Sequence, residues 1–285
     1  MKTSNEDFLD RFIDQALQED LGDGDHTSLS CIPAAATGTA RLLIKEDGIL
    51  AGVSVAQRIF ARFDASLGMV ISIQDGARVK QGDEAFRVSG SVRSILQCER
   101  LVLNVMQHMS GIATCTATYV EALQGTRARV LDTRKTTPGM RFLDKQAVLL
   151  GGGCNHRIGL YDMILIKDNH IDFAGGIPQA IRAARAYLEA RSLNLRIEVE
   201  ARSLEDIRCI LETGGADRIL IDNFDVPATR EAVALIDGRV ETESSGGITL
   251  ENIRAYALTG VDFISVGALT HHVSALDMSL KAVDF

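Results

Sequence analysis

Between residues 134 and 170 the chain carries six cations, Arg134, Lys135, Arg141, Lys145, Arg157 and Lys167, against three anions, Asp144, Asp162 and Asp168. The segment is net positive inside a 285-residue chain whose formal charge is −8. Guanidinium forks hold planar carboxylates bidentately, and lysine supplies a compact point charge. Several of each converging on one cavity repel one another unless a multiply charged anion lies between them. His156 and His170 fall in the same stretch and can add to it. The chemistry this composition suits is recognition of a small, highly charged anionic substrate.

Carboxylates follow. Glu198 and Glu200 share one face of a strand by its two-residue period, and Asp222 closes a later strand. Beside a cationic pocket such groups suit a divalent cation carried in with phosphates, and they suit sugar hydroxyls equally well. Ser244-Ser245-Gly246-Gly247-Ile248-Thr249, ahead of a helix expected over 250–258, has the composition of a phosphate nest. Gly267-Ala268 at the next strand end can complete that cup.

Plain structural readings stand beside these. Glu198 can pair with Arg196 or another base, and a Ser-Gly-Gly turn is commonly only a turn. Arg141 and Lys145 are expected on the solvent face of a helix, and His108 is expected packed in an apolar helix or at an interface. Asp132 can serve to order a strand end. His271-His272 reads as a turn without a third ligand at metal spacing, and Cys154 has no partner that would make it a nucleophile.

These residues need a scaffold. Short buried-looking strands, at 127–133, 162–168, 195–201, 217–223, 238–244 and 262–268, alternate with helical patterns. Pro178 suits a helical first turn. Ser203 with Asp206 suits an N-cap, Gly214-Gly215 suits that helix's end, Thr249 suits a cap and Gly260 a stop. Such alternation argues parallel βα units. Polar residues recur at the C-terminal ends of the strands, where βα barrels build their sites, and no GxGxxG turn follows a first strand. Eight full units take about 250 residues, so the expected architecture is an incomplete barrel of six or seven strands.

Ahead of it, residues 38–95 read as a small α/β domain with an antiparallel component and a helix over 52–63. A helix is expected at 9–19 and a loop at 20–28. A long apolar helix is expected at 97–123, with Gly111 marking a break or a close backbone approach.

The remaining composition mostly excludes. At 46% hydrophobic and 24% charged residues the chain is an ordinary globular protein. Its acidic balance and lack of tryptophan argue against a nucleic-acid binder. No apolar run approaches membrane-spanning length, and MKTSNEDFLDRF lacks the pattern of a signal peptide. Five scattered cysteines make no disulfide framework. The expected location is the cytoplasm, with no membrane partner.

Taken in order, EDLGDGDHTS (19–28), ERLVLNVMQHMSGIAT (99–114), DTRKTTPG (132–139), GGGCNHRIGLYD (151–162), LIKDNHI (165–171), IEVE (197–200), DNF (222–224), ESSGGI (243–248) and GVDFISVGALTH (260–271) closely resemble the quinolinate phosphoribosyltransferase family. The resemblance runs nearly end to end. It implies an α/β fold, with an N-terminal α/β sandwich domain over 1–112, an incomplete βα barrel over 113–270, and a segment, 271–285, returning to the first domain. It also implies transfer of phosphoribosyl from phosphoribosyl pyrophosphate to quinolinate, with decarboxylation, to give nicotinate mononucleotide.

By the same resemblance, Arg134, Lys135, His156, Arg157 and Lys167 bind quinolinate, with Arg100 entering from the partner of a homodimer or higher oligomer. Glu200 and Asp222 hold ribose hydroxyls or Mg2+, and with Lys135 form the catalytic set. Ser245, Gly246, Gly247 and Gly267 take the 5′-phosphate. The residues alone rank Glu198 equal to Glu200; the motif IEVE favours Glu200. The chain departs from the family's habit at Gln146 and His272, neither of which removes a charge from the site. The alternatives are a molybdenum-transport-associated paralogue and a nicotinate phosphoribosyltransferase without decarboxylation. A non-catalytic small-anion sensor would bind the same ligands without turnover.

Overall fold

Apolar residues recur every three to four positions along α1 (Asn5–Leu21), which buries Ile13 and Leu17. The computed structural model describes residues 5–283. The chain divides into two compact units. The first runs through Ala117 and takes in Thr136–Gly152 and the chain from His272; the second comprises Thr118–Lys135 and Gly153–His271.

In the first unit α2 (His26–Cys31) begins inside the stretch expected as loop. The reason is Asp25, whose carboxylate accepts the Ser28 N–H at 3.0 Å and caps a short helix. Then come β1 (Thr37–Ile44), β2 (Gly48–Ile49), α3 (Val53–Phe63), β3 (Gly68–Ile71), β4 (Arg78–Val79) and β5 (Glu84–Ser91). The last strand of the chain, β12 (Met278–Val283), pairs antiparallel with β1 and completes a four-stranded sheet of order β12-β1-β5-β3, while β2 and β4 form a separate pair. Phe60 of α3 meets Phe86 of β5 edge-on at 6.2 Å between ring centres. Arg58 pairs with Asp10, and Arg62 with Asp10 and Asp14, joining α3 to α1.

The long helix α4 (Val92–Ala122) is unbroken. Gly111 marks a close approach instead: a Cβ there would collide with the Ser274 carbonyl. Helix α5 (Arg141–Leu150) also belongs to this unit. Lys145 is buried on it rather than on a solvent face, beside fully buried Asp144. The Asp144 carboxylate accepts the Thr137 N–H at 2.9 Å and lies 2.7 Å from His108 Nε2, so His108 is packed against an acidic partner.

The second unit has six parallel strands: β6 (Arg129–Leu131), β7 (Ile164–Ile166), β8 (Ile197–Ala201), β9 (Arg218–Asp222), β10 (Glu241–Ser245) and β11 (Phe263–Ser265). Their order is β6-β11-β10-β9-β8-β7, two strands short of a full eightfold barrel, and this is an incomplete βα barrel. Helices α6 (Asp168–Ala174), α7 (Ile177–Ala190), α8 (Leu204–Thr213), α9 (Val226–Ile236), α10 (Ile253–Ala257) and α11 (Ala268–His271) occupy the links. Pro178 sits in the first turn of α7, and Ser203 accepts the Asp206 N–H to cap α8. The helix expected over 250–258 shrinks to the five residues of α10. Thr249 does not cap it; Asn252 precedes it and accepts the Thr249 N–H. Likewise His271 closes the short α11 rather than lying in a turn.

Strand register sorts the side chains into two faces. Ile197, Val199, Ala201, Ile219 and Ile221 are buried on one. On the other, Glu198 is level with Arg218 and Glu241, Glu200 with Leu220 and Glu243, and Asp222 with Ser245. Branched apolar side chains usually fill this face in a barrel; here much of it is charged. No helix among the described residues is long and apolar enough to cross a membrane.

Candidate active site

Parallel strands end on the same side of the sheet, which brings the expected cations together. Arg134 follows β6, Arg157 precedes β7 and Lys167 follows it. All three line one cavity of about 550 Å³, with His170, Leu160 and Met163 among its other walls. Burial lowers the Arg157 pKa, the Arg134 charge lowers it further, and Glu198 and Asp162 oppose the shift. The loop carrying Arg157 is tied down by Asp162, whose carboxylate accepts the N–H groups of Ile158 at 2.8 Å and Gly159 at 2.9 Å. The Lys167 N–H donates to His170 Nδ1 at 2.9 Å, while its ammonium lies 3.7 Å from Glu200. The apolar walls, Leu160 and Met163, carried no signal in the sequence, because an apolar residue in a polar loop has no fixed pattern.

Lys135, Glu200 and Asp222 lie outside that lining. Glu200 is 5% exposed; burial raises its pKa, Asp222 adds to the rise and Lys167 opposes it. A carboxylate raised by a neighbouring one fits a divalent cation, whose charge would relieve the repulsion. Asn223 donates from Nδ2 to Asp222 at 2.6 Å.

Beyond Ser245 the chain turns through Gly246 (φ 93°) and Gly247 (φ 62°), left-handed conformations that favour glycine. A Cβ on Gly246 would drive into the Asn223 side chain, which itself sits at φ 58°. The five-residue α10 is too short to add a helix field to this cup. Gly267 lies near Lys135: a Cβ on it would stand 3.2 Å from Lys135 Cδ. Thr270 donates its hydroxyl to the Lys135 carbonyl at 2.9 Å, fixing that strand end. Arg100 is exposed on α4, in the first unit.

Beneath the strand ends lies a buried charged cluster. His156 Nε2 is 3.0 Å from Glu198 and 3.5 Å from Glu243. Arg218 donates to Glu243 at 2.7 Å and to Glu241, and stacks over the Phe263 ring at 4.1 Å. Arg196 pairs with Glu241, not with Glu198. The fully buried Asp132 accepts the main-chain N–H of His156 at 2.9 Å, so it orders more than its own strand end. Burial raises the pKa of Glu198 and, with the Glu198 charge, pushes Glu243 up to about 7 against the pull of His156 and Arg218. The ligand atoms of His156, Glu198 and Glu243 lie within 4.8 Å of one another, a spacing that a divalent cation could bridge. Arg218 was missed in the sequence, and Glu243 was read only as part of a strand-end motif; an arginine and a glutamate on adjacent buried strands were the available signal.

Two family descriptions cover most of the chain: "Quinolinate phosphoribosyl transferase, N-terminal domain" matches residues 25–110, and the corresponding C-terminal domain matches 112–281. Quinolinate phosphoribosyltransferase (decarboxylating) 1b of Nicotiana tabacum is 48% identical over 284 residues, spanning 94% of this chain and 81% of its own length. The crystal structure of NadC from Streptococcus pyogenes superposes with a TM-score of 0.91 at 40% identity, covering 97% of each chain. The nicotinate-nucleotide pyrophosphorylase structure from Francisella tularensis gives 0.92 at 38% identity, covering 98% of each.

Proposed function

The chain belongs to the quinolinate phosphoribosyltransferase family, and from that premise we propose how its strand-end residues divide the work. The enzyme transfers phosphoribosyl from phosphoribosyl pyrophosphate to the ring nitrogen of quinolinate with decarboxylation, giving nicotinate mononucleotide, pyrophosphate and carbon dioxide. The observation that carries the residue assignment is the single cavity lined by Arg134, Arg157 and Lys167.

Quinolinate carries two carboxylates on a pyridine ring. In this reading Arg134, Lys135, His156, Arg157 and Lys167 hold them, so that the ring nitrogen faces C1 of the ribose. Ser245, Gly246, Gly247 and Gly267 hold the 5′-phosphate through backbone N–H groups. Glu200 and Asp222 take the ribose hydroxyls and the divalent cation. Magnesium, when bound, supplies positive charge to the departing pyrophosphate.

The ring nitrogen's lone pair forms the bond to C1 as the C1–O bond to pyrophosphate breaks. The nitrogen becomes cationic. When the adjacent carboxylate leaves as carbon dioxide, the electrons of its C–C bond stay on the ring carbon, stabilised by that cation. Lys135 or a water then protonates the carbon. The cations beside the leaving carboxylate must hold it no more tightly in the ground state than in the transition state, since uniform binding does not speed the step.

Residues 1–112 serve as the domain that carries Arg100, 113–270 as the barrel, and 271–285 as the returning segment. Arg100 completes the quinolinate site of a partner subunit in a homodimer. The test is a product assay with quinolinate, phosphoribosyl pyrophosphate and magnesium, with nicotinate as the parallel acceptor. Stoichiometric nucleotide and carbon dioxide from quinolinate alone are expected. Turnover with nicotinate only, or with neither acceptor, overturns the reading.

A further inference from the structure

Arg134 and Lys135 are exposed, and long exposed cations can align a ligand only if the backbone beneath them is held. That backbone is tied at successive atoms. The Lys135 N–H donates to the Thr133 hydroxyl at 2.9 Å, and the Lys135 carbonyl accepts the Thr270 hydroxyl at 2.9 Å. In the next residue, the Thr136 hydroxyl accepts Arg141 Nε at 3.0 Å. The chain then turns tightly through Thr137-Pro138-Gly139-Met140. The Met140 N–H donates to the Thr137 carbonyl at 3.0 Å, and Gly139 stands at φ 78°. Proline followed by a left-handed glycine is the type II pattern.

Helix α5 starts after this turn with no side-chain cap from Met140. Asp144, one turn into the helix, reaches back instead. One of its oxygens accepts the Thr137 N–H at 2.9 Å, and the other lies 2.7 Å from His108 Nε2. A carboxylate only accepts, so the imidazole donates. Asp144 is fully buried, and a buried carboxylate is costly unless its oxygens are engaged. His108 of α4 supplies that second engagement from a side chain 20% exposed. Neither residue lines the cationic cavity.

We propose that the His108–Asp144 pair is a positioning device for the quinolinate site. Through the Thr137 N–H it fixes the loop that leaves Lys135, and so sets where Arg134 and Lys135 stand. This rests on those two cations binding quinolinate. A plain helix cap would add stability and nothing else, so the two roles differ in what the folded protein binds.

Titration of the whole chain with quinolinate separates them. His108→Leu removes the donor while keeping a side chain of similar length. It should weaken quinolinate binding roughly tenfold, the cost of slightly misplaced binding groups. His108→Gln, whose amide can donate to the same carboxylate, should bind within about threefold of the unaltered protein. Asp144→Ala should lose at least as much as His108→Leu. The double variant should lose no more than Asp144→Ala alone, because the pair acts through one hydrogen bond. Hydrogen exchange read by NMR should show the Thr137 amide at least about tenfold faster in His108→Leu and slow again in His108→Gln.

Unchanged quinolinate affinity in folded His108→Leu, with only the melting temperature lowered, overturns the proposal. So does an equal loss in His108→Gln, or a Thr137 amide that exchanges as before. If Asp144→Ala fails to fold, the two His108 variants carry the test, since they alter a partly exposed side chain. If the unaltered protein binds no quinolinate, the ligand assignment of Arg134 and Lys135 fails, while the Thr137 exchange rates still decide whether the pair holds the loop.

Discussion

Glu243 sits fully buried next to Glu198, and desolvation with that neighbouring charge pushes its carboxyl up from 4.5 to about 7. The folded chain therefore keeps a proton that the unfolded chain releases as pH rises from 4.5. This group's contribution to stability is full below 4.5 and is lost as pH climbs through about 7. Glu243→Gln should flatten that part of a plot of melting temperature against pH, and an unaltered slope would remove Glu243 as its source. Asp222 makes a different case. It stands on the acidic rim level with Ser245, away from the cationic cavity. Asp222→Asn should weaken binding of phosphoribosyl pyrophosphate roughly ten- to a hundredfold, the size of a charged hydrogen bond lost. Quinolinate binding should change far less. Separate titrations of each ligand check this, and equal losses in a folded variant would sink the division.

Elements matter through their ends. Strand β10 delivers Ser245 and then must turn at once, which Gly246 allows at φ 93° while packing against Asn223. Alanine there is strained in backbone and collides with a side chain whose own position depends on the Ser245 carbonyl, which accepts the Asn223 N–H at 2.9 Å. Gly246→Ala should therefore raise the KM for phosphoribosyl pyrophosphate about tenfold or more, the scale of a misplaced binding group, with a smaller effect on quinolinate. A reversed pattern, read by steady-state kinetics, would move the phosphate cup elsewhere. Caps show why local signals were legible at this scale. Ser203 and Pro178 act on atoms within one helical turn, so three or four residues suffice to identify them. The short α2 was missed because Asp25 lies among glycines and aspartates that equally suit a loop.

For the whole molecule the question is whether one chain makes a complete site. Arg100 is exposed on α4 and belongs to the first unit, while Arg134, Arg157 and Lys167 belong to the second. Arg100→Ala should abolish most activity, and so should Lys135→Ala. Mixing the two inactive proteins should restore up to about a quarter of normal sites if subunits exchange at random in a symmetric dimer. Absence of any recovery, with exchange verified by mass, would place Arg100 outside the shared site.

The sequence by itself determined the α/β class, the incomplete barrel and the family. The first two follow from periodicities of two and 3.6 and from local turn residues, which are short-range properties of the chain. The family was legible because strand-end motifs, from Asp132-Thr133-Arg134-Lys135 to Glu243-Ser244-Ser245-Gly246-Gly247, survive in order. Tertiary structure decided what burial and register decide. It put Lys145 in the interior, joined Arg218 to Glu243 across 25 residues, and turned His156 inward while Arg157 reached the cavity. A charged residue's identity is written in the chain, but which charges it faces depends on packing between elements far apart in it.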